Sequence, residues 1–95
     1  MATGYHEDNL SENTKDLHRG FVSLTEEIEA ADWYNQRIDV CQDEVLKGVL
    51  IHNRDEELEH AAMILEWLRR KIPELDEQLH EYLFTSGPIK EEEKK

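Results

Sequence analysis

The chain has 95 residues, 23 acidic against 11 basic, and a formal charge of −12. With 36% charged and 38% hydrophobic residues, one small domain with a thin private core is the ceiling. Such chains rely on a disulfide, a metal or a partner subunit, and the single cysteine, Cys41, excludes an intrachain disulfide. A pI near 4.7 provides no basic footprint for nucleic acid or anionic lipid and instead attracts cations. No apolar run approaches the roughly 20 residues of a membrane span. The opening Met-Ala-Thr-Gly-Tyr-His-Glu-Asp lacks the basic and apolar regions of a signal peptide. The expectation is a cytoplasmic protein, with Cys41 reduced, that binds neither nucleic acid nor membrane.

In chain order, residues 1–10 are expected to be disordered. Ser11 can cap a helix, with Glu12 acidic in its first turn. Leu17, Phe21, Leu24, Ile28, Ala31 and Ile38 then recur at spacings of three, four or seven, which predicts one long amphipathic helix to about Val40. Cys-Gln-Asp-Glu (41–44) reads as a tight turn with Asp43 as the next cap. A second stripe of Leu46, Leu50, Ile64 and Trp67, flanked by Val49, Ala61 and Leu68, predicts a helix to about Lys71. Pro73 suits a first helical position, and Leu75, Leu79 and Tyr82 make a short third helix that Gly87 and Pro88 should stop. Residues 88–95, ending in Lys-Glu-Glu-Glu-Lys-Lys, read as a flexible tail. No stretch alternates apolar and polar residues, so the fold class is all-α. The architecture expected over 11–87 is an antiparallel two-helix hairpin plus a short C-terminal helix. It has too little packing partner of its own, and two copies would form a four-helix bundle.

The second helix breaks its own pattern. Its apolar stripe passes through Asn53, Glu57 and His60, and a carboxylate and an imidazole on a core face are costly unless paired or bound to metal. Glu57 and His60 form Glu-x-x-His, whose i, i+3 spacing presents both side chains to one ion. Di-iron carboxylate bundles take this motif from two helices and one Glu from each of two others. Glu27, on the flank of the first stripe, lies as far before position 42 as Glu57 lies after it, so a hairpin holds the two level. One chain therefore carries half of a di-iron ligand set, and a two-fold dimer would complete it. The competing reading is a non-catalytic hairpin interaction module whose buried polar layer fixes register. Elsewhere, Glu77-x-x-His80 repeats the motif on an outward face and reads as solvated surface. Glu26 and Glu29 read as a solvated helix face, and Trp33 and Tyr34 as packing or interface residues. His6, His18 and His52 lack partners at ligand spacing, and Cys41 reads as a small packing residue near the turn.

Four segments taken together carry a resemblance: Glu-Glu-Ile-Glu-Ala-Ala-Asp-Trp-Tyr (26–34), His-Asn-Arg-Asp-Glu-Glu-Leu-Glu-His-Ala-Ala-Met (52–63), Leu-Glu-Trp-Leu-Arg-Arg (65–70) and Tyr-Leu-Phe-Thr (82–85). In identity, order and separation, over roughly residues 11–89, they resemble the encapsulated ferritins, cargo proteins of encapsulin nanocompartments. The resemblance implies a ferroxidase that oxidises Fe(II) with O₂ at a di-iron centre shared by two chains, with two irons per dimer and calcium or zinc as stand-ins. It implies that Glu27, Glu57 and His60 are iron ligands and that Tyr34 lies beside the centre. It also implies that Glu26 and Glu29 form a secondary metal site on the route iron takes inward, with Trp33 as the neighbouring aromatic. It further implies an annular homodecamer of five dimers inside an encapsulin shell in the cytoplasm, the shell rather than the open ring holding the stored iron. Family members often end in a linker and a short apolar-basic peptide that docks on the shell, where this sequence has Glu-Glu-Glu-Lys-Lys (91–95).

Overall fold

The computed structural model describes residues 4–90, so the expectations for residues 1–3 and 91–95 fall outside the described residues. Three helices follow one another, α1 (Glu12–Val40), α2 (Glu44–Lys71) and α3 (Pro73–Tyr82). The described residues contain no strand. The boundaries follow local chemistry. The Ser11 hydroxyl accepts the Thr14 N–H at 3.1 Å, and the Asp43 carboxylate accepts the Leu46 N–H at 3.0 Å. Each satisfies a backbone donor that the first helical turn leaves free. Acidic Glu12 and Glu44 open α1 and α2, and Arg69, Arg70 and Lys71 close α2, each placed favourably on the helix dipole. Pro73 begins α3, where its missing N–H costs nothing.

The third helix stops earlier than Gly87 and Pro88 suggested. Leu83 is extended and Phe84 takes a left-handed backbone with φ of 60°. The Thr85 hydroxyl donates to the Tyr82 carbonyl at 3.0 Å, so a side chain ends the helix before the glycine is reached. Residues 4–10 form neither helix nor strand, and Tyr5 there sets its ring edge-on against His18 with centroids 5.0 Å apart.

Helices α1 and α2 run antiparallel about the turn at Cys41–Asp43, each about 42–44 Å long at the usual rise. The molecule measures 48 × 41 × 20 Å with a radius of gyration of 17.3 Å, against about 12 Å for a compact domain of this length. Among the described residues only Ala31 and Leu68 are buried. Leu68 therefore faces α1, although its place in the stripe suggested a flank. Phe21, Ile28, Leu46, Val49 and Met63 stay about half exposed, because two helices share a single seam and the rest of each apolar stripe faces away from it. The exposed area is 7868 Å², against roughly 5,700 Å² for a compact monomer of this mass.

Gly20 makes the seam close. A Cβ there would lie 2.9 Å from the Trp67 ring and 3.2 Å from Leu68, so the missing side chain lets α2 lay its indole across α1. At the far end, Arg69 links α2 to α3. It donates to both Glu66 oxygens at 2.7 Å and to Asp76, while Arg70 donates to Glu66 at 2.7 Å. These bonds hold the Glu66 carboxyl at about 2, first through Arg69 and then Arg70. Near the turn, Arg54 bridges the long helices by donating to Asn35 at 3.1 Å.

The two helical glycines should respond oppositely to substitution. Gly20→Leu should lower stability by about 1–3 kcal/mol through overpacking against Trp67 and Leu68. Gly48, with nothing near its missing Cβ, should gain about 0.5–1 kcal/mol on Gly48→Ala from helix propensity. Urea midpoints at one chain concentration read both.

Candidate metal centre

The centre is built by register. With α1 ending at Val40 and α2 starting at Glu44, Glu27 and Glu57 are equidistant from the turn and meet at one height. His60 follows Glu57 by three residues and projects from the same face of α2. The structure brings all three together, with one donor atom from each within 4.8 Å of the others. The His60 Nδ1 lies 3.5 Å from Glu27 Oε1 and 3.6 Å from Glu57 Oε1.

Those distances exceed ordinary N–H···O lengths and come close to the edge of a coordination polyhedron. Ligands about 2.1 Å from one ion stand roughly 3.0–3.4 Å apart. His60 thus faces a common point with the two carboxylates more than it hydrogen-bonds to either. Their side chains are 25%, 25% and 44% exposed for Glu27, Glu57 and His60. The expected buried polar layer is therefore only half-buried in the single chain, open on the side that the hairpin leaves uncovered.

The electrostatics favour a cation. Glu27 is pushed above the ordinary carboxylate range, first by the hydrogen bond it shares with Glu57, then by burial and by the Glu57 charge, while His60 acts in the opposite direction. Two carboxylates held together share a proton or need a positive ion between them. Neither is paired with a lysine or arginine among the described residues; their ion-pair partner is His60.

The remaining predicted residues lie around this point without joining it. Glu26 and Glu29 are exposed on α1, and the one His/Cys/Asp/Glu group of metal-holding geometry among the described residues is Glu27, Glu57 and His60. Trp33 is exposed. Tyr34 is half-buried, with the Arg37 guanidinium 5.2 Å from its ring centre. The second Glu-x-x-His does not close: Glu77 is exposed, and His80 turns to Asp76, with Nδ1 at 2.9 Å from its carbonyl and 3.2 Å from its carboxylate. His52 has a partner that its motif spacing did not announce, Glu56 at 3.3 Å. The sequence reading also missed Gly20. Its signal was present, a small residue seven before Glu27 facing a large one, Trp67, seven after His60.

Comparison with known proteins places this chain in a family. The model of the EncFtn-like family matches residues 3–86, and the chain belongs to that family. It is 54% identical over 93 residues to the "Ferritin-like protein" of Thermotoga maritima, covering 96% of this chain and 82% of that one. It is 58% identical over 80 residues to the "Encapsulated ferritin-like protein" of Rhodospirillum rubrum, covering 84% of this chain and 57% of that one. The "Encapsulin nanocompartment cargo protein EncC" of Myxococcus xanthus is a more distant match, 37% identical over 71 residues, which are 70% of this chain and 55% of that protein. The chain thus spans little more than half the length of these last two relatives. Among solved structures, protein ne0167 of Nitrosomonas europaea superposes with a TM-score of 0.86 at 57% identity, covering 90% of this chain and 97% of that one. The all-α hairpin with its short third helix and the resemblance to encapsulated ferritins are both borne out. No helix of the described residues is long and apolar enough to cross a membrane.

A test of the site's charge needs no metal. A carboxyl with a raised pKa in the folded chain binds its proton more readily there than in the unfolded chain. Its ionisation therefore destabilises the fold as pH rises through that value, and the penalty is absent below the ordinary carboxylate range. The metal-free Glu27→Gln protein should unfold at higher urea than wild type at about pH 7. The gap should narrow toward about pH 4, as denaturation curves at several pH values would show.

Proposed function

We propose that this chain is a ferroxidase subunit, oxidising Fe(II) with O₂ at a di-iron centre that two copies complete. The observation that carries the reading is the convergence of Glu27, Glu57 and His60 on one point at half the ligand count of a di-iron site. The donor set fits iron. Two hard carboxylate oxygens and an imidazole, with no thiolate, suit iron over structural zinc, although calcium or zinc can stand in as a binding ion. Iron held there supplies one electron per ion to dioxygen. The residues do the rest. Glu27 and Glu57 bring negative charge that favours the ferric product over the ferrous substrate, and His60 orients its Nδ1 side toward both carboxylates. Glutamate has enough rotatable bonds to change which oxygen it presents as the charge on iron rises.

The uncovered stripe supports the second copy. Phe21, Ile28, Leu46, Val49 and Met63 stand exposed along the hairpin, and a two-fold mate would cover them while bringing the second Glu27, Glu57 and His60. In the same reading Tyr34 lies beside the centre, and Glu26, Glu29 and Trp33 mark the route by which Fe(II) reaches it. The strongly acidic surface supports that route by drawing cations inward. The names of the relatives from Rhodospirillum rubrum and Myxococcus xanthus support cargo in an encapsulin shell in the cytoplasm. An annular decamer of five dimers is the assembly this reading expects, with the shell retaining the oxidised iron.

Anaerobic loading with Fe(II) followed by air, monitored by ferric absorbance, tests the reaction. Glu27→Ala removes one carboxylate from each half-site while keeping helix propensity. Its rate should fall at least roughly tenfold, the lower end of the loss seen even for supporting groups around a metal. Wild-type turnover in that variant would show that α1 contributes no ligand. A wild-type rate equal to buffer would favour the hairpin module with its polar layer.

Sizing by native mass spectrometry across an anaerobic Fe(II) titration tests the shared site. Metal that binds only the assembled centre stabilises it by mass action. Apo chains should therefore be monomers or loose dimers that Fe(II) converts to dimers and larger rings, with a smaller shift in His60→Ala. Iron bound to a persistent monomer would overturn the shared centre.

A further inference from the structure

Tyr34 follows Glu27 by one heptad on α1, and Trp67 follows His60 by one heptad on α2. Each ring therefore lies on its ligand's side of the helix, about 10.5 Å farther along the axis. Because the helices are antiparallel, the two rings bracket the centre from opposite ends: Tyr34 toward the turn, Trp67 toward α3. Tyrosine and tryptophan are the side chains that most readily give up an electron from a ring, and they flank the point where oxidation is proposed.

Each of these rings carries a cation on its face. The Arg37 guanidinium is 5.2 Å from the Tyr34 ring centre and the Lys71 ammonium is 5.7 Å from the Trp67 ring centre. Each cation comes from the next turn of the same helix. Arg37 and Lys71 form no ion pair among the described residues, although acidic residues outnumber basic ones twofold in the chain. The other oxidisable rings vary: Tyr5 also carries a cation, the Lys15 ammonium 5.9 Å from its ring centre. Trp33 and Tyr82 are about half exposed and have no such cation among the described residues.

We infer that Arg37 and Lys71 guard Tyr34 and Trp67 against oxidation, an inference that rests on the ferroxidase reading for its biological setting. A cation on the ring face is attracted to the electron-rich neutral ring. Removing one electron leaves a ring cation, which the guanidinium or ammonium repels. The ring cation then releases its phenolic or indole proton to water, while the electron reduces the oxidant. That oxidant is dioxygen chemistry at the centre in turnover. The guard thus raises the cost of drawing the electron from protein in place of Fe(II). Arg37 and Lys71 are positioning residues and touch neither iron nor oxygen.

The electron-transfer step can be tested without iron. Flash photolysis of a ruthenium trisbipyridine complex with persulfate generates Ru(III), which takes one electron from a tyrosine or tryptophan. Peptide mapping by mass spectrometry then reads oxidation of Tyr34 and Trp67 relative to Tyr82 and Trp33. Arg37→Gln should raise oxidation at Tyr34 about two- to fivefold, the factor equivalent to an exposed cation–π contact, and leave Trp67 unchanged. Lys71→Gln should do the converse. Arg37→Lys and Lys71→Arg, which keep the charge, should map like wild type, separating the guard from helix packing. Circular dichroism should show unchanged helix content, since both positions are exposed and glutamine is a good helix former. Unchanged ratios in the Gln variants, or an equal rise at both rings from either one, would overturn the guard. Repeating the maps after cycles of Fe(II) and air separates the two proposals. Iron oxidised without added damage at Tyr34 or Trp67 in the Gln variants overturns protection in turnover. A chain that oxidises no iron overturns the ferroxidase reading and leaves the photochemical result to decide the guard.

Discussion

Two antiparallel helices share one seam, and that limit governs the rest of the molecule. Each long helix carries apolar residues over a wider arc than one neighbour can cover. The seam encloses Ala31 and Leu68, admits the Trp67 ring only because Gly20 is bare, and leaves the other large side chains half in water. At roughly 25 cal/mol per Å² of apolar surface removed from water, covering that stripe is the largest stabilisation still open to the chain. The acidic pair and the imidazole lie on the border of the same uncovered strip. In the proposed shared centre, assembly and metal binding would therefore be coupled through the geometry of one face.

The charge balance makes that coupling directional. A protein with net charge −12 repels its own copies at long range, and Glu27 and Glu57 concentrate the repulsion where a mate would bring two more carboxylates. In the proposed dimer, cations would relieve it at the point where it is worst. The chain's basic residues meanwhile serve local tasks. Arg69 and Arg70 converge on Glu66 to join α2 with α3, Arg54 ties α2 to Asn35, and Arg37 and Lys71 lie over rings.

The helices were legible in the sequence because their signals are local. Ser11 and Asp43 cap as their side chains require, Pro73 starts α3, and heptad spacing marks the long helices. The centre was legible for a related reason: an antiparallel hairpin turns equal counts from the turn into equal height, so Glu27 and Glu57 could be paired on paper. What was not legible depends on contacts between elements. Heptad spacing could not say which part of a broad stripe meets the other helix, so Leu68 was placed on a flank when it is the most buried side chain. The end of α3 was misplaced because the Thr85 hydroxyl reaches the Tyr82 carbonyl before Gly87 can act as a stop. His52 carries no ligand-spaced motif, yet it meets Glu56 one turn away, a two-residue pair that the pattern of a metal site does not contain.

The turn at Cys41–Asp43 has a consequence for descent. Glu27, Glu57 and His60 are each held at their height by the number of residues between them and that turn. One inserted or deleted residue between Glu27 and Val40, or between Glu44 and Glu57, would advance the rest of that helix by about 1.5 Å and rotate it by about 100°, swinging a carboxylate off the seam. Length changes in this lineage should therefore be confined to the segments before Glu27 and after His60. Substitution at the exposed positions between them leaves that spacing intact, and the hairpin's length is the ruler by which the two acids find each other.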